Sequence, residues 1–293
     1  MEHYPVLHRE VLQHFKENVK DGIIIDGTVG GGGHSYLILK ELPNVFLIGI
    51  DKDDYALERA EDRLKEFKGR FKLFKSSFKD LDKILKEEGI DGVNGVLFDF
   101  GVSTFQLKLD RGFSFQREEP LDMRMDRSQH LTAQQVVNTY PLKDLERILK
   151  EYGEERFYKK IARFIVENRK KKRIETTKEL ADIVYRAYPP KLRHGRIHPA
   201  TKTFQAIRIE VNNELEEIKE GLTKGIENLN KNGIIQAISF HSLEDRIVKN
   251  IFRDYKKLKK LEILTKKPII PKEDEIRENP PSRSAKLRIG KRL

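Results

Sequence analysis

A run of four glycines, Gly30 to Gly33, follows one short apolar segment and precedes another. Ile23 to Ile25 is β-branched and ends on Asp26, which is typical of a parallel strand buried on both faces. Tyr36 to Leu39 continues as a predicted helix. Glycine tolerates positive φ and lets the main chain approach a ligand, and a helix start presents N–H groups. The pattern therefore predicts a strand, turn and helix that bind a nucleotide-like ligand.

The spacing of the glycines indicates which nucleotide. A dinucleotide fingerprint needs glycines at i, i+2 and i+5, with alanine allowed last, but its third position falls here on Ser35 or Tyr36. No Gly-Lys-Ser/Thr follows, as a phosphate-binding P-loop would require. A second strand, predicted at Val45 to Ile50, ends on Asp51, where doubly wound folds place a carboxylate for ribose hydroxyls. An adenosine without phosphates fits this pattern, and S-adenosylmethionine is the leading candidate.

Two further apolar segments extend the strand–helix alternation. Phe71 to Lys75 is the third predicted strand, and Gly95 to Phe98 is the fourth and ends on Asp99. Three predicted strands thus end on an aspartate, and the carboxyl ends of strands in an open α/β sheet face the ligand crevice. Ile234 to Phe240 is a fifth strand, and closing strands are predicted at 262–265 and 286–289. The fold class is therefore predicted to be α/β, with a Rossmann-like doubly wound sheet.

The alternation stops near Asp110, and no convincing strand follows until well past Pro199. The predicted organisation is a first core part (1–109), an inserted all-helical domain (110–200) and a second core part (201–293). From about Pro199 an apolar stripe from Phe204 to Leu229 keeps a period close to 3.6, which predicts one long helix that Asn232 and Gly233 end.

Composition narrows the class of partner. Lys and Arg number 58 against 47 acidic residues, and the net charge of +11 favours a polyanion. Three basic runs, 169–173, 193–198 and 256–260, are candidate phosphate contacts, although each alone also suits a solvated surface. Cysteine is absent, which excludes disulfides and thiolate sites. No signal sequence or membrane-spanning run is evident, so we expect a cytoplasmic protein.

Taken together, these motifs resemble the bacterial ribosomal RNA small subunit methyltransferase H family, also called MraW. The glycine turn alone is weak evidence, but eight further segments match in family order across nearly the whole chain. The matching segments are 3–7, 26–35, 99–103 with Gln106, 111–115, 121–126, 152–156, 198–206, 239–246 and 282–288. The family usually has Leu at Phe100 and Ser at Thr104.

The resemblance implies a class I methyltransferase fold, S-adenosylmethionine as cofactor, and methylation of cytidine N4 in the decoding region of 16S rRNA by a chain whose helical insert helps to recognise RNA. Carried over position by position, the cofactor-binding residues are Gly32, Gly33, His34, Asp51, Phe78, Asp99 and Gln106. His34, Phe78 and Gln106 come from the resemblance alone. The implied partner is 16S rRNA or the small ribosomal subunit, and monomer and homodimer both stay open.

Asp99 and His241 are the candidate catalytic residues. Methyl transfer to an amine is an in-line displacement that needs no covalent intermediate, and a carboxylate that holds the amino hydrogens favours the reactive geometry. Asp99 therefore either serves the reaction centre or only binds the donor. His241 either contacts the target nucleotide or starts a helix with Glu244 or Asp245. Phe113 and Phe115 either stack on a flipped-out base or pack the insert.

Asp122, Asp126 and the histidines lack convincing ligand spacing, so no metal site is predicted. Two other functions stay open: a dinucleotide-dependent oxidoreductase, disfavoured by the glycine spacing, and a ribosome-assembly factor with a vestigial cofactor pocket.

Overall fold

The computed structural model describes residues 4–102, 107, 109–195 and 197–293. They divide into two compact units, residues 1–101 with 215–293 and residues 102–214. The strands are β1 (Gly22–Asp26), β2 (Val45–Asp51), β3 (Phe71–Lys75), β4 (Val93–Asp99), β5 (Leu229–Ser239), β6 (Leu261–Ile263) and β7 (Lys286–Arg292). The helices are α1 (His8–Asn18), α2 (Gly33–Glu41), α3 (Asp54–Leu64), α4 (Leu81–Glu87), α5 (Ala133–Thr139), α6 (Leu142–Glu151), α7 (Tyr158–Lys171), α8 (Thr177–Ala187), α9 (Ala200–Asn212), α10 (Glu214–Glu227), α11 (Ser242–Lys257) and α12 (Glu273–Glu278).

The first unit is built on a seven-stranded sheet in the order β3-β2-β1-β4-β5-β7-β6. Strands β1 to β5 pair in parallel, whereas β7 runs antiparallel to both β5 and β6. The predicted α/β class and doubly wound sheet are confirmed.

Alternate residues of the central strands enter different cores, which explains why these strands read as continuous apolar runs. Ile24 of β1 and Leu47 of β2 belong to the cluster that includes Phe15 of α1. Their neighbours Ile25 and Ile48 belong to the cluster that contains residues of α4, α10 and α11. The sheet is therefore buried on both faces.

The strand order reverses between β1 and β4, because β2 and β3 extend the sheet on one side and β4 and β5 on the other. Ligands bind outside the carboxyl ends of strands at such a point. Asp26, Asp51 and Asp99 are the last residues of β1, β2 and β4. The fold thus places all three aspartates at one edge of the sheet.

The prediction of a single helix after Pro199 is wrong. Asn213, with φ of 50°, takes the left-handed conformation and separates α9 from α10. Asn232 and Gly233 do not end a helix either, since they lie within β5, where its register with β4 shifts. Periodicity alone did not reveal the break, because Asn213 interrupts no apolar position of the stripe.

The second unit contains α5 to α9 around its own core, and among its described residues the only β pairing is the isolated bridge between Pro120 and Thr176. The capping box of Thr176 and Glu179 predicted for α8 is confirmed. This unit extends to residue 214, beyond the predicted boundary at residue 200, because α9 packs into its core. The Asn212 side chain fixes α9 there by accepting from Met125 N at 2.9 Å and donating to Met123 O at 2.8 Å.

Helix α1 was not predicted from the sequence. Its apolar face is short, with Val11 and Phe15 buried, and Gln236 of β5 donates to the carbonyl of Val11 at 2.9 Å.

Throughout the described parts of the chain, each helix is too short or too polar to cross a membrane.

Candidate functional site

The turn between β1 and α2 requires glycine at two positions for different reasons. Gly32 has φ of +76°, and a Cβ there would lie 3.2 Å from Ala60 Cα. At Gly27 a Cβ would lie 2.4 Å from the ring of Phe98. Helix α2 then begins at Gly33 without a side-chain cap from the described residues. Its first N–H groups can therefore donate hydrogen bonds to an anionic or polar ligand at the turn.

Asp26 holds this turn together. Its Oδ2 accepts from Ser35 Oγ at 2.7 Å, and its Oδ1 accepts from Thr28 N at 3.2 Å. The residue is only 1% exposed, and burial raises the pKa of its carboxyl, against the opposing effect of the Ser35 hydrogen bond. Because both oxygens are used internally, Asp26 is a latch that joins the start and end of the turn.

Asp51 connects β2 to the same turn. Its Oδ2 accepts from Gly30 N at 2.9 Å, and its Oδ1 accepts from Asp53 N at 3.0 Å. Burial raises its pKa to about 6, while the backbone hydrogen bonds from Asp53 and Gly30 lower it. Each oxygen keeps a second lone pair, so the carboxylate can still accept hydrogen bonds from a ligand.

Asp99 and His34 face each other across the crevice. The Asp99 backbone N donates to Thr28 Oγ1 at 2.7 Å, and Asp99 Oδ2 lies 3.6 Å from His34 Nε2. His34 is 7% exposed. Among the described residues, His34 Nε2 and Asp99 Oδ1 are buried without a hydrogen-bond partner. Such atoms are costly to leave unsatisfied, which indicates a place for a polar ligand.

Phe78 supplies an apolar wall in the same unit. It opens the short 3₁₀ turn after β3, and its ring centroid lies 5.2 Å from that of Phe98 and 5.8 Å from that of Phe100. Phe100 is only 3% exposed, and its ring stacks on that of Phe98 at a centroid distance of 5.6 Å. The three rings therefore form an aromatic cluster.

The fold brings five of the predicted site residues to one edge of the sheet. Gly32, Gly33 and His34 lie at the start of α2, and Asp51 is hydrogen-bonded to the glycine turn. Asp99 lies next to His34. Gln106, which the resemblance also implies, lies outside the described residues.

His241 follows β5 and starts α11. Its Nδ1 accepts from Glu244 N at 3.4 Å, and Glu244 Oε2 accepts from Phe240 N at 2.7 Å and His241 N at 3.3 Å. These contacts form a capping box, which is the helix-start arrangement expected as one of two alternatives. The His241 Nε2 atom lies 3.1 Å from Glu244 Oε1, so both ring nitrogens face Glu244, and the side chain is 11% exposed.

The aromatic residues of the insert pack within the second unit. Phe113 is buried in its core, and Phe115 is partly buried against it.

In the basic run 169–173, Arg169 donates to Val137 O at 2.9 Å and Lys172 pairs with Glu179. Lys170 and Lys171 are exposed. Only part of this run is thus available to a polyanion.

Several supporting residues were missed by the sequence analysis. Thr28 and Ser35 fix the two aspartates on either side of the turn. Beside Asp51, Lys52 forms an ion pair with the buried Glu217 of α10, whose second oxygen lies 3.6 Å from Lys79 Nζ. A Thr two residues after Asp26 and a Ser in the first turn of α2 are visible patterns, whereas a contact with α10 depends on the tertiary fold.

Comparison with known proteins agrees with this geometry. A model of the MraW methylase family matches residues 1–293. A protein of Persephonella marina named ribosomal RNA small subunit methyltransferase H is 72% identical over 293 residues, covering 100% of both chains. Proteins with the same name from Sulfurihydrogenibium azorense and Leptospira interrogans are 71% and 50% identical, covering 100% and 98% of this chain and 100% and 88% of theirs. The chain therefore belongs to the MraW methylase family, and it is an S-adenosylmethionine-dependent methyltransferase.

Proposed function

We propose that this protein methylates the exocyclic N4 of a cytidine in the decoding region of 16S rRNA. The observation that carries the proposal is the pair of His34 and Asp99, which presents unsatisfied polar atoms in a crevice beside a glycine turn. The relatives' names refer to RNA of the small ribosomal subunit, and the net charge of +11 favours a polyanionic substrate.

The proposed donor site consists of Gly32, Gly33, His34, Asp51, Phe78, Asp99 and Gln106. Its described residues suit an adenosine that carries an amino acid. The Asp51 carboxylate keeps lone pairs for ribose hydroxyls, and Phe78 provides an apolar surface for a base. When bound, S-adenosylmethionine supplies a methyl group on a positively charged sulfur. The chain's own contribution is to position the donor against the acceptor nitrogen.

Asp99 is proposed to act on the acceptor. The N4 lone pair of cytosine is delocalised into the ring, so a carboxylate that accepts an amino hydrogen favours the geometry in which N4 attacks. Asp99 Oδ1 is available for this hydrogen bond among the described residues, and His34 lies on its other side. After the new C–N bond forms, N4 must lose a proton, and the same carboxylate oxygen can accept it.

His241 is the second proposed contact with the target nucleotide. Since its ring also caps α11, a simple truncation confounds capping with catalysis. Asparagine retains the capping function but removes the imidazole. The His241→Asn variant therefore separates the two roles.

Transfer of a radiolabelled methyl group to unmodified small-subunit rRNA, naked or assembled, tests the proposal. We expect one label per RNA with the wild type, and a loss of at least about 100-fold in kcat for Asp99→Asn, as expected for loss of a positioned acid–base group. Asp91→Asn is the matched control, because Asp91 is exposed and precedes the amino end of the same strand. Full turnover of Asp99→Asn with unchanged donor affinity would refute the role of Asp99.

The transfer assay and a fluorescence titration test the two other functions. Stoichiometric binding of RNA without label transfer would indicate an assembly factor with an idle cofactor pocket. Tight binding of NAD in a fluorescence titration, with none of S-adenosylmethionine, would indicate an oxidoreductase.

A further inference from the structure

A row of four aromatic rings leads from Phe204, in the core of the second unit, to the surface of that unit. Phe204 is 5% exposed, and its ring centroid lies 5.0 Å from that of Phe115. Phe115 stacks on His198 at 4.7 Å, and His198 is followed by Tyr185 at 6.3 Å. The last ring, His194, lies 6.2 Å from Tyr185. We call Phe115, His198, Tyr185 and His194 the aromatic row.

Core packing explains only the inner end of the row. Phe115 and Tyr185 are partly buried, but His194 and His198 are exposed. The planes of His198 and Tyr185 are inclined by only 24° at a centroid distance of 6.3 Å, so the two rings are offset and do not cover each other fully. The outer end of the row therefore presents ring surface to solvent.

A fixed cation accompanies these rings. The guanidinium carbon of Arg193 lies 5.1 Å from the centroid of Tyr185. Its Nε donates to Tyr188 O at 3.0 Å and its Nη2 to Arg186 O at 3.1 Å. Arg193 is thus held by carbonyl oxygens, which leave its positive charge available to an external anion.

The sequence around the row contains no acidic residue of its own. Residues 183–209 include six Lys or Arg residues and two histidines but no Asp or Glu, and one of the six, Arg208, pairs with Glu214 beyond the segment. Arg186 and Lys202 also donate to carbonyl or amide oxygens. Lys191 is exposed. A segment with this charge and without internal carboxylates is complementary to a polyanion.

Aromatic faces beside fixed cations suit one class of polyanion in particular. Single-stranded nucleic acid exposes base faces that stack on Tyr, Phe and His rings, while its phosphates contact Lys and Arg. Double-stranded RNA keeps its base faces paired and offers mainly phosphates and 2′-hydroxyls. We propose that the aromatic row is a stacking surface for unpaired bases of the RNA substrate, with Arg193 and Lys191 contacting the adjacent phosphates. This inference rests on the proposed function, since it describes how that substrate is held.

The test measures binding of a fluorescein-labelled unstructured RNA dodecamer, and of a blunt duplex, by fluorescence anisotropy. The two variants are Tyr185→Leu and His194→Ala, which remove rings from the outer part of the row. His198 is avoided, because its Nδ1 accepts from Ala200 N at 3.1 Å at the start of α9. Lys143→Ala, on an exposed basic residue of α6 outside the three basic runs, is the control.

We expect each variant to weaken binding of the single strand by ~5- to 150-fold, the effect of losing one stacked base, and to leave binding of the duplex within about twofold. The fold loss of single-strand affinity in the ring variants should persist at raised salt. The loss of affinity in Lys191→Ala should instead become smaller, because it depends on a phosphate contact. Tyr185→Phe, which keeps the ring, should bind as the wild type does. Thermal unfolding checks that each variant is folded, and His194→Ala serves if Tyr185→Leu is not.

Unchanged single-strand affinity in folded His194→Ala and Tyr185→Leu would overturn the proposal. An equal loss for single strand and duplex would also overturn it, since that would indicate charge or shape alone. The outcomes are distinct from failure of the proposed function. If binding depends on the rings but no methyl group is transferred, the proposed function is contradicted and the stacking surface is supported. If methylation is normal but binding does not depend on the rings, the stacking surface is contradicted and the proposed function is supported.

Discussion

Replacing Ser35 with alanine tests whether the latch on Asp26 shapes the donor site. The change removes one hydroxyl from a fully buried residue and leaves Asp26 Oδ2 without the 2.7 Å hydrogen bond. Losing a partner of a buried carboxyl costs about 1–3 kcal/mol. For a chain of this size, a loss of 2 kcal/mol lowers Tm by roughly 4–8 °C. Donor affinity should fall by up to about tenfold, since 1.4 kcal/mol corresponds to a factor of ten.

The assay combines thermal unfolding with isothermal titration of S-adenosylmethionine. A double-mutant cycle of Ser35→Ala with Asp26→Asn isolates the interaction, and we expect a coupling energy of about 1 kcal/mol or more. Ser76→Ala is the control, because the Ser76 hydroxyl lies 3.4 Å from the nearest carbonyl oxygen that it contacts, at Ser77. If Ser35→Ala unfolds within about 1 °C of the wild type and the coupling is below ~0.3 kcal/mol, the latch does not hold the turn.

Three further predictions concern the same unit. Asp51 has a pKa of about 6 in the folded state against 3.8 for a free aspartate, so its contribution to stability is present below pH 3.8 and is lost as pH rises through 6. Donor affinity measured by titration should rise over the same range as the carboxylate ionises, and a flat profile would contradict its role. Gly32→Ala places an alanine at a φ of +76°, with its Cβ 3.2 Å from Ala60 Cα, so we expect donor binding to weaken by roughly tenfold or more. Gly69→Ala is the comparison, because Gly69 also has a positive φ but has open space around it. His241→Ala should destabilise the fold by ~1 kcal/mol through loss of the cap, whereas His241→Asn should restore Tm. Restored methyl transfer in His241→Asn would show that the residue only caps, and transfer that stays low would indicate contact with the nucleotide.

The sheet and its crevice were predictable because each signal is local. β-Branched runs such as 23–25 and 45–50 specify buried strands, and the side chain that follows each run lies at the carboxyl edge. The order of these strands and the four glycines then indicate where a ligand binds. Asp51 and Asp99 could therefore be placed without any knowledge of relatives.

Long-range hydrogen bonding explains what could not be predicted. The sequence shows that Asp26, Asp51 and Asp99 each end a predicted strand, but not that both oxygens of Asp26 are used inside the turn while Asp99 Oδ1 has no partner among the described residues. The break at Asn213 depends on its left-handed conformation, to which hydrophobic periodicity is blind. Phe78 packs against Phe98 and Phe100 through contacts that the local sequence pattern does not encode.

The aromatic row shows the same limit on a larger scale. Its members come from the loop at Phe115, from α8 and from the segment before α9, so only the fold assembles them. In the sequence analysis, Phe113 and Phe115 were equally good candidates for stacking on a base. The structure separates them, since Phe113 is buried in the core and Phe115 joins a row that ends at the surface.

The most direct test of the account is to identify the modified nucleotide. Small-subunit rRNA and small subunits from cells that lack this activity are incubated with the protein and S-adenosylmethionine, and the RNA is digested and analysed by mass spectrometry. We predict a single new methyl group on N4 of one cytidine in a decoding-region fragment, and its loss with Asp99→Asn but not with Asp91→Asn. A methyl group on carbon, on ribose or on another base, or no methyl group on either RNA despite binding, would contradict the account.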